Sequence, residues 1–213
     1  MSFTNRKALK SVALLAMAAF AVLGLSVAQA KSVKKQNLVQ LISQSDSILI
    51  GTVTHKTDDF QSGLPYTEIT IDVAQSIKGS QDETYTFRQF GLIAPKRTGD
   101  GRVNLMVTPA GWPTYTEGEQ VMLFLHKPAS QTGFQTTAGL TQGKFSIREG
   151  QLANELGNES LFEGVTINAR MPQTQLDLVN QDGGPYEAET FFSLVRQAVE
   201  QEWIENGVMT YEN

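Results

Sequence analysis

Residues with the chemistry of catalysis or metal binding are few in this chain of 213 residues. Cysteine does not occur, which excludes disulfides, thiol catalysis, zinc–thiolate sites and iron–sulfur clusters. The two histidines, His55 and His126, each close a different predicted strand, whereas a catalytic pair needs both beside an acid. The chain has no G-x-S-x-G elbow, no H-E-x-x-H helix and no phosphate-cradling glycine loop. We therefore predict no catalytic residue, no metal site and no cofactor.

Carboxylates are the remaining candidates for acid–base or calcium chemistry. Asp58 and Asp59 follow His55 in a polar stretch, and Glu68 and Asp72 alternate along a predicted strand. Two carboxylates in one pocket can act as acid and base when their environments separate their pKa values. Glycoside chemistry needs them at most about 9.5 Å apart. A carboxylate-dependent secreted hydrolase is therefore one alternative function, whereas calcium is not expected because no D-x-D-x-D-G spacing occurs.

Trp112 and Tyr115 are the candidate ligand-binding residues. They lie in an aromatic turn, G-W-P-T-Y, outside the regular elements. Aromatic faces on the rim of a β-barrel can stack on sugar rings, although such rings can also cap the barrel. A second candidate surface is Phe191, which adjoins Phe192; if Phe191 leaves the apolar stripe and is exposed, it marks a partner surface.

The first 30 residues have the pattern of a signal peptide. Three basic residues without an acid precede the apolar run Val12–Leu25, and Ala28-Gln29-Ala30 then supplies a small-x-small cleavage site. The run of 14 residues is short of the roughly 20 that a permanent membrane span needs. We expect cleavage after Ala30, export to the periplasm or the medium, and no stable membrane anchor afterwards.

The predicted mature chain, Lys31–Asn213, is acidic. Loss of the three basic residues of the signal leaves 14 Lys and Arg against 22 Asp and Glu, a formal charge of −8. Nucleic-acid binding depends on clustered Lys and Arg, so no nucleic-acid partner is expected.

Hydrophobic periodicity predicts a mainly β domain with two flanking helices. The predicted helices are Gln36–Ser45 and Glu187–Glu202, the second with an apolar stripe that packs on the sheet. Residues 171–184 are expected to form a linker, and the last ten residues to be frayed. The predicted strands are Ile48–His55, Tyr66–Ile77, Thr84–Phe90, Val103–Val107, Val121–Leu125, Phe134–Thr137, Lys144–Arg148 and Val165–Ala169.

Four motifs follow one another in an order that resembles a family. Ser45–Val53 contains G-x-V; Tyr66–Gly79 runs from Y-T to K-G; Gly118–Leu125 joins G-E to L-F-L; and Gly139–Phe145 ends in Q-G-K-F. This order resembles a group of exported, mostly uncharacterised bacterial proteins, over about Leu41–Ile147.

The resemblance implies an OB-like antiparallel barrel, with the short N-terminal helix and the packed C-terminal helix beside it. The barrel is similar in outline to the netrin-type, TIMP-like module of secreted metalloprotease inhibitors. Those inhibitors hold their target's metal through an N-terminal cysteine and are stapled by disulfides. Because this chain has no cysteine, the resemblance implies a fold without that mechanism.

The sequence therefore predicts a signal peptide over residues 1–30 and a single OB-like domain over 31–213. The favoured function is an exported, non-enzymatic binding or interaction module whose partner is a protein or a cell-envelope glycan. The secreted hydrolase and an accessory or structural subunit of an envelope complex are the alternatives.

Overall fold

The computed structural model describes residues 34–212 and is mainly β, as predicted, with three helices beside a large antiparallel sheet. In chain order the elements are α1 (Leu38–Gln44), β1 (Ser47–Gln61), β2 (Leu64–Lys78), β3 (Thr84–Phe90), β4 (Lys96–Arg97), β5 (Val103–Asn104), β6 (Gln120–Leu125), a 3-10 turn (Leu140–Gly143), β7 (Lys144–Arg148), β8 (Gln151–Ala153), β9 (Val165–Ile167), α2 (Gln173–Val179), β10 (Tyr186–Glu187), α3 (Ala188–Glu200) and β11 (Met209–Tyr211). The predicted signal peptide lies outside the described residues. No helix within residues 34–212 combines the length and the apolar character needed to cross a membrane.

Seven strands form the main sheet, in the order β10-β8-β7-β6-β1-β2-β3. Every neighbouring pair is antiparallel. The end strands β10 and β3 are not paired with each other, so strand pairing leaves this sheet open. Two small two-stranded sheets, β9–β11 and β4–β5, lie beside it.

The sheet is covered on both faces near its centre. Along β6, Met122 and Phe124 belong to a core that also holds the buried side chains of α1 and α3. Their neighbours Val121, Leu123 and Leu125 belong to a second core built from β1, β2, β3 and β6. Since successive side chains of a strand point to opposite faces, the two cores lie on opposite sides of the sheet. We call them the helix-side core and the strand-side core.

Strand β1 is longer than predicted. It continues past His55 to Gln61, because its polar second half pairs with Leu64–Ile69 of β2. Ser62 and Gly63 turn the chain with φ values of 51° and 80°. Two successive positive φ values are typical of a type I′ turn, whose twist suits an antiparallel hairpin. Ser62 and Gly63 are therefore the tip of one long hairpin formed by β1 and β2.

Gly51 lies in β1 where the backbone of β2 comes close, a position typical of a glycine inside a strand. A Cβ atom placed there would be 2.2 Å from the carbonyl oxygen of Asp72 in β2. The β1–β2 register also shifts between Ile50 and Gly51. A side chain at this position would push β1 and β2 apart.

The C-terminal third differs from the prediction in two places. The expected linker contains α2, in which Gln175 and Leu178 are buried. A polar residue in the buried stripe hides the helical pattern of this segment from a hydrophobic periodicity. The expected frayed end contains β11, whose Met209 pairs with Ile167 of β9 and is fully buried. That pairing joins residues far apart in the chain, and local composition does not report it.

The predicted strand Phe134–Thr137 is not a strand of the sheet, although its backbone bridges two of them. The His126 N–H, just beyond β6, donates to the Thr136 carbonyl at 3.0 Å. On the other side, the Gln135 N–H donates to the Arg88 carbonyl of β3 at 2.8 Å. This segment therefore connects the edge strand β3 with the central strand β6.

Phe191 is fully buried, so it does not mark a partner surface. Its ring lies 5.4 Å from that of Phe145 and 6.0 Å from that of Tyr186, between centroids. We expect Phe191→Ala to lower the free energy of unfolding by about 3–5 kcal/mol, because it opens a cavity in the helix-side core. Urea denaturation measures this, with Glu200→Ala on the exposed face of α3 as the matched control. A loss below about 1 kcal/mol for Phe191→Ala would contradict this packing.

Candidate functional site

The two aromatic candidates of the 111–115 turn are placed differently. The Tyr115 ring is 5% exposed and belongs to the strand-side core, where its edge meets Phe87 at 5.7 Å between centroids. The Trp112 ring is half-buried and packs on Phe90 at 6.5 Å. Tyr115 is mostly buried in the strand-side core, and its remaining surface lines a cleft of about 390 Å³. Trp112 keeps part of its surface exposed and stays a predicted contact residue.

Tyr115 lies beside an ion pair that the sequence did not predict. Lys144 begins β7, and its side chain is only 8% exposed. Its Nζ donates to Glu119 Oε1 at 2.6 Å and lies 5.4 Å from the centre of the Tyr115 ring. Ser146 Oγ donates to the same carboxylate oxygen, also at 2.6 Å. The Glu of the G-E motif and the Lys of Q-G-K-F thus hold β6 and β7 together.

Two pKa values are displaced here. Burial alone would raise the pKa of Glu119, but the hydrogen bonds from Lys144 and Ser146 and the charge of Lys144 outweigh it. The pKa of Glu119 is therefore lowered. Burial, with a further contribution from Glu119, raises the pKa of Tyr115, whose hydroxyl has no hydrogen-bond partner. The carboxylate stays charged, which keeps its ion pair with Lys144, and the phenol stays neutral.

The carboxylates of the hydrolase alternative each contact another group of the fold. Asp58 contacts Lys96 at 2.9 Å, and Glu68 contacts Arg88 at 2.8 Å. Asp59 accepts a hydrogen bond from the next backbone N–H. Each is occupied by a cation or a backbone donor, which gives this alternative no geometric support.

The two histidines contact different groups. His55 Nδ1 faces Glu117 at 3.4 Å on the surface, and His126 Nδ1 contacts the Gln44 carbonyl at 3.0 Å. Among residues 34–212, no three His, Asp or Glu side chains are grouped so that they could hold a metal ion.

The surface feature with the clearest functional meaning is an apolar one. Among the described residues, six large apolar side chains are exposed. All lie on the tip of the β1–β2 hairpin or on the loop 91–108, and we call this set the apolar end. Its members, with exposed fractions, are Leu64 (40%), Ile93 (46%), Val103 (47%), Leu105 (71%), Met106 (45%) and Val107 (38%).

The loop is tied to the hairpin through Asp58. The Ile93 N–H donates to Asp58 Oδ2 at 3.1 Å. Lys96 Nζ donates to Asp58 Oδ1 at 2.9 Å and to its carbonyl at 2.7 Å. The Gly91 N–H donates to the Pro65 carbonyl at 3.0 Å. These bonds place the two apolar segments at one end of the molecule.

The backbone of the loop is also satisfied within itself. The Leu92 N–H donates to the Met106 carbonyl at 3.0 Å, and the Thr108 N–H returns to Leu92 at 2.9 Å. A side chain at Gly91 is excluded, since a Cβ there would lie 2.5 Å from Thr108 Cα. The apolar side chains are therefore presented by a hydrogen-bonded backbone.

A cleft of about 390 Å³ opens beside the apolar end. Ile93 and Val107 line it and belong to the apolar end, and Pro113, Gln89 and Thr67 form further parts of its wall. An apolar surface beside a pocket with a few polar groups suits a protruding apolar side chain of a partner.

Sequence reasoning missed the apolar end, although a signal was present, whereas Tyr115 of the predicted aromatic turn lines the cleft beside it. Residues 103–107 are predicted as one strand, whereas Val103–Asn104 form a two-residue strand and Val107 makes an isolated bridge to Leu92. Four of these five residues are apolar, in a stretch that also carries Pro95, Gly99 and Gly101. An apolar run within a glycine-rich loop, where no core can form around it, was the available sign.

We expect Glu119→Gln to lower the free energy of unfolding at pH 7 by about 2–3 kcal/mol, because Lys144 loses its charged partner. Since the pKa of Glu119 is lowered by folding, its stabilising effect is complete above the ordinary carboxyl pKa of 4.5 that applies to the unfolded chain. It is lost as the pH falls through the lowered folded-state value. Denaturation curves of both proteins should converge as the pH falls below about 4. The exposed Glu117→Gln is the matched control, and a constant difference at all pH values would contradict the assignment.

We expect Asp58→Ala to loosen the loop 91–108, because the contacts to Ile93 and Lys96 depend on that carboxylate. Hydrogen exchange of the amides over 92–98 should become faster, on the order of tenfold. The neighbouring Asp59→Ala removes a hydrogen bond from the next backbone N–H in β1 and none to the loop, so it should leave these amides unchanged. Equal acceleration in both variants would mean that Asp58 does not anchor the loop.

Comparisons with family models, with curated proteins and with solved structures found no match to this chain. The apolar end and its cleft therefore stand as the candidate site on their geometry alone.

Proposed function

We propose that this protein is an exported, non-enzymatic binding module that holds a protein partner on its apolar end. One observation carries the proposal: all six exposed large apolar side chains of the described residues lie on two segments joined through Asp58. Soluble monomers rarely leave such side chains grouped on the surface, and grouped ones mark protein contacts.

Burial of the apolar end by a partner is expected to be favourable in free energy. Burial of apolar surface stabilises a complex by roughly 25 cal/mol per Å². The backbone of the loop is already hydrogen-bonded, so that a partner does not have to order it. The most exposed residue of the set is Leu105, at 71%, beside Met106 and Val107. These three consecutive apolar side chains supply the centre of the proposed contact.

Export is part of the same proposal. It is supported by the basic start, the apolar run Val12–Leu25 and the cleavage pattern ending at Ala30. The mature chain would be Lys31–Asn213, periplasmic or secreted, with a formal charge of −8. The acidic balance supports a protein partner and gives no support to a nucleic-acid one.

We also propose that the curled part of the sheet is an OB-like barrel. Strands β1, β2, β3 and β6 enclose the strand-side core, and Tyr115 covers part of it. Support for closure comes from residues 134–138, whose backbone contacts both β3, at Arg88, and β6, through the Ala138 N–H to the Phe124 carbonyl at 2.7 Å. This segment would take the place of a strand between β3 and β6.

A cell-envelope glycan is the second candidate ligand, and Trp112 is the observation in its favour. The indole is half-buried against Phe90 of β3. Arg88 of the same strand lies over the Tyr66 ring, with its Cζ 4.8 Å from the ring centroid. A partly exposed indole suits stacking on a sugar ring.

The test compares the purified protein with the double variant Ile93→Ser/Leu105→Ser, both immobilised and exposed to native envelope and secreted fractions. Both changes are on the surface, so we expect unfolding free energies within about 0.5 kcal/mol of wild type. A partner protein that is retained is then purified, and the Kd of its complex is measured with the wild-type protein and with the double variant. We expect the double variant to bind it at least about tenfold more weakly, since truncated anchors commonly cost more than 1 kcal/mol each.

Leu105→Met is the matched control, because it keeps an apolar side chain of similar volume and should keep the affinity. An equal Kd for wild type and the double variant would place the contact elsewhere. Retention of a glycan that Trp112→Ala abolishes would favour the second candidate and contradict the protein-binding proposal.

A further inference from the structure

Methionine is the one sulfur-containing residue in this chain, since cysteine does not occur. Four methionines lie among the described residues, and they differ in exposure. Met122 and Met209 are fully buried, and Met171 is partly buried against the helix-side core. Met106 is 45% exposed, at the centre of the apolar end. Of these four methionines, Met106 is therefore the most accessible to an oxidant in solution.

The backbone holds Met106 in place. Its N–H donates to Asn104 Oδ1 at 2.9 Å, and its carbonyl accepts from the Leu92 N–H at 3.0 Å. Both main-chain groups are thus satisfied, and the exposed side chain is flanked by the exposed Leu105 and Val107. A change at this sulfur alters the surface without breaking a hydrogen bond of the loop.

We propose that Met106 is a site of reversible oxidation, at which a two-electron oxidant of the peroxide class makes the apolar end polar. A sulfur lone pair attacks one peroxide oxygen, the O–O bond breaks as the S–O bond forms, and the second oxygen leaves as water after proton transfer. The sulfur loses two electrons and the peroxide gains them. The product, methionine sulfoxide, is polar, and methionine sulfoxide reductases return it to the thioether.

The effect on the partner rests on the proposed function, whereas the reaction at the sulfur does not. A sulfoxide at Met106 places a strongly hydrogen-bonding oxygen among side chains that a partner would desolvate. Partner binding therefore weakens in the oxidised protein and recovers after enzymatic reduction.

The test treats the purified protein with hydrogen peroxide and follows the sulfoxide at each methionine by peptide mass spectrometry. We expect oxidation of Met106 about tenfold or more faster than that of Met122 and Met209, and faster than that of Met171. Fluorescence of a dye that binds apolar surface should fall as Met106 is oxidised. In Met106→Leu it should stay constant, and in the matched control Met171→Leu it should fall as in wild type.

Equal oxidation rates at all four methionines, or the same loss of dye binding in Met106→Leu, would overturn the assignment. The partner assay separates the two proposals. Selective oxidation of Met106 with loss of dye binding but an unchanged Kd for the retained protein would contradict the protein-binding function and leave the oxidation site supported. Loss of affinity that the reductase reverses in wild type, and that does not occur in Met106→Leu, would support both.

Discussion

The backbone hydrogen bonds that join β6, β1 and β2 hold the rest of the molecule in place. Both cores depend on these three strands, because alternate side chains of β6 pack into the helix-side core and the strand-side core. Helices α1 and α3 pack on one face, and β3 with Tyr115 completes the other. Gly51 shows how little freedom these strands have, since the β2 backbone occupies the space of a side chain there.

The same strand that builds the centre also positions the candidate site. The first half of β1 pairs with β6, and its second half forms the hairpin that reaches Leu64. Asp58, in that second half, binds the loop 91–108 through Ile93 and Lys96. Rigid support of this kind lets apolar side chains remain exposed without collapsing onto the core, because their backbone groups are already paired. The site is thus a consequence of the length of one strand.

Several charged residues stabilise the fold, a role that their positions in the sequence do not indicate. Glu119 directly precedes β6, and Lys144 is the first residue of β7. The two side chains meet because β6 and β7 are paired. Their contact is shielded from solvent and includes Ser146, which makes it a specific tie between strands. Asp58, Glu68 and Glu117 likewise contact cations or the backbone nearby. Carboxylates that suggested chemistry therefore serve the fold.

The amino-acid sequence by itself determined the elements whose signals are local. The alternation of Ile69 and Ile71 predicted β2, and the apolar stripe through Phe192 and Val195 predicted α3, because both patterns report a single buried face. Only the tertiary structure decided which side chains are covered. Tyr115 and Phe191 became core residues and Leu105 remained outside, since burial depends on partners far along the chain. For the same reason α2 and the apolar end were not predicted, because a buried glutamine and an exposed leucine each contradict the local rule that apolar residues lie inside. Strand β11 was not predicted because its pairing partner, β9, lies far away in the sequence.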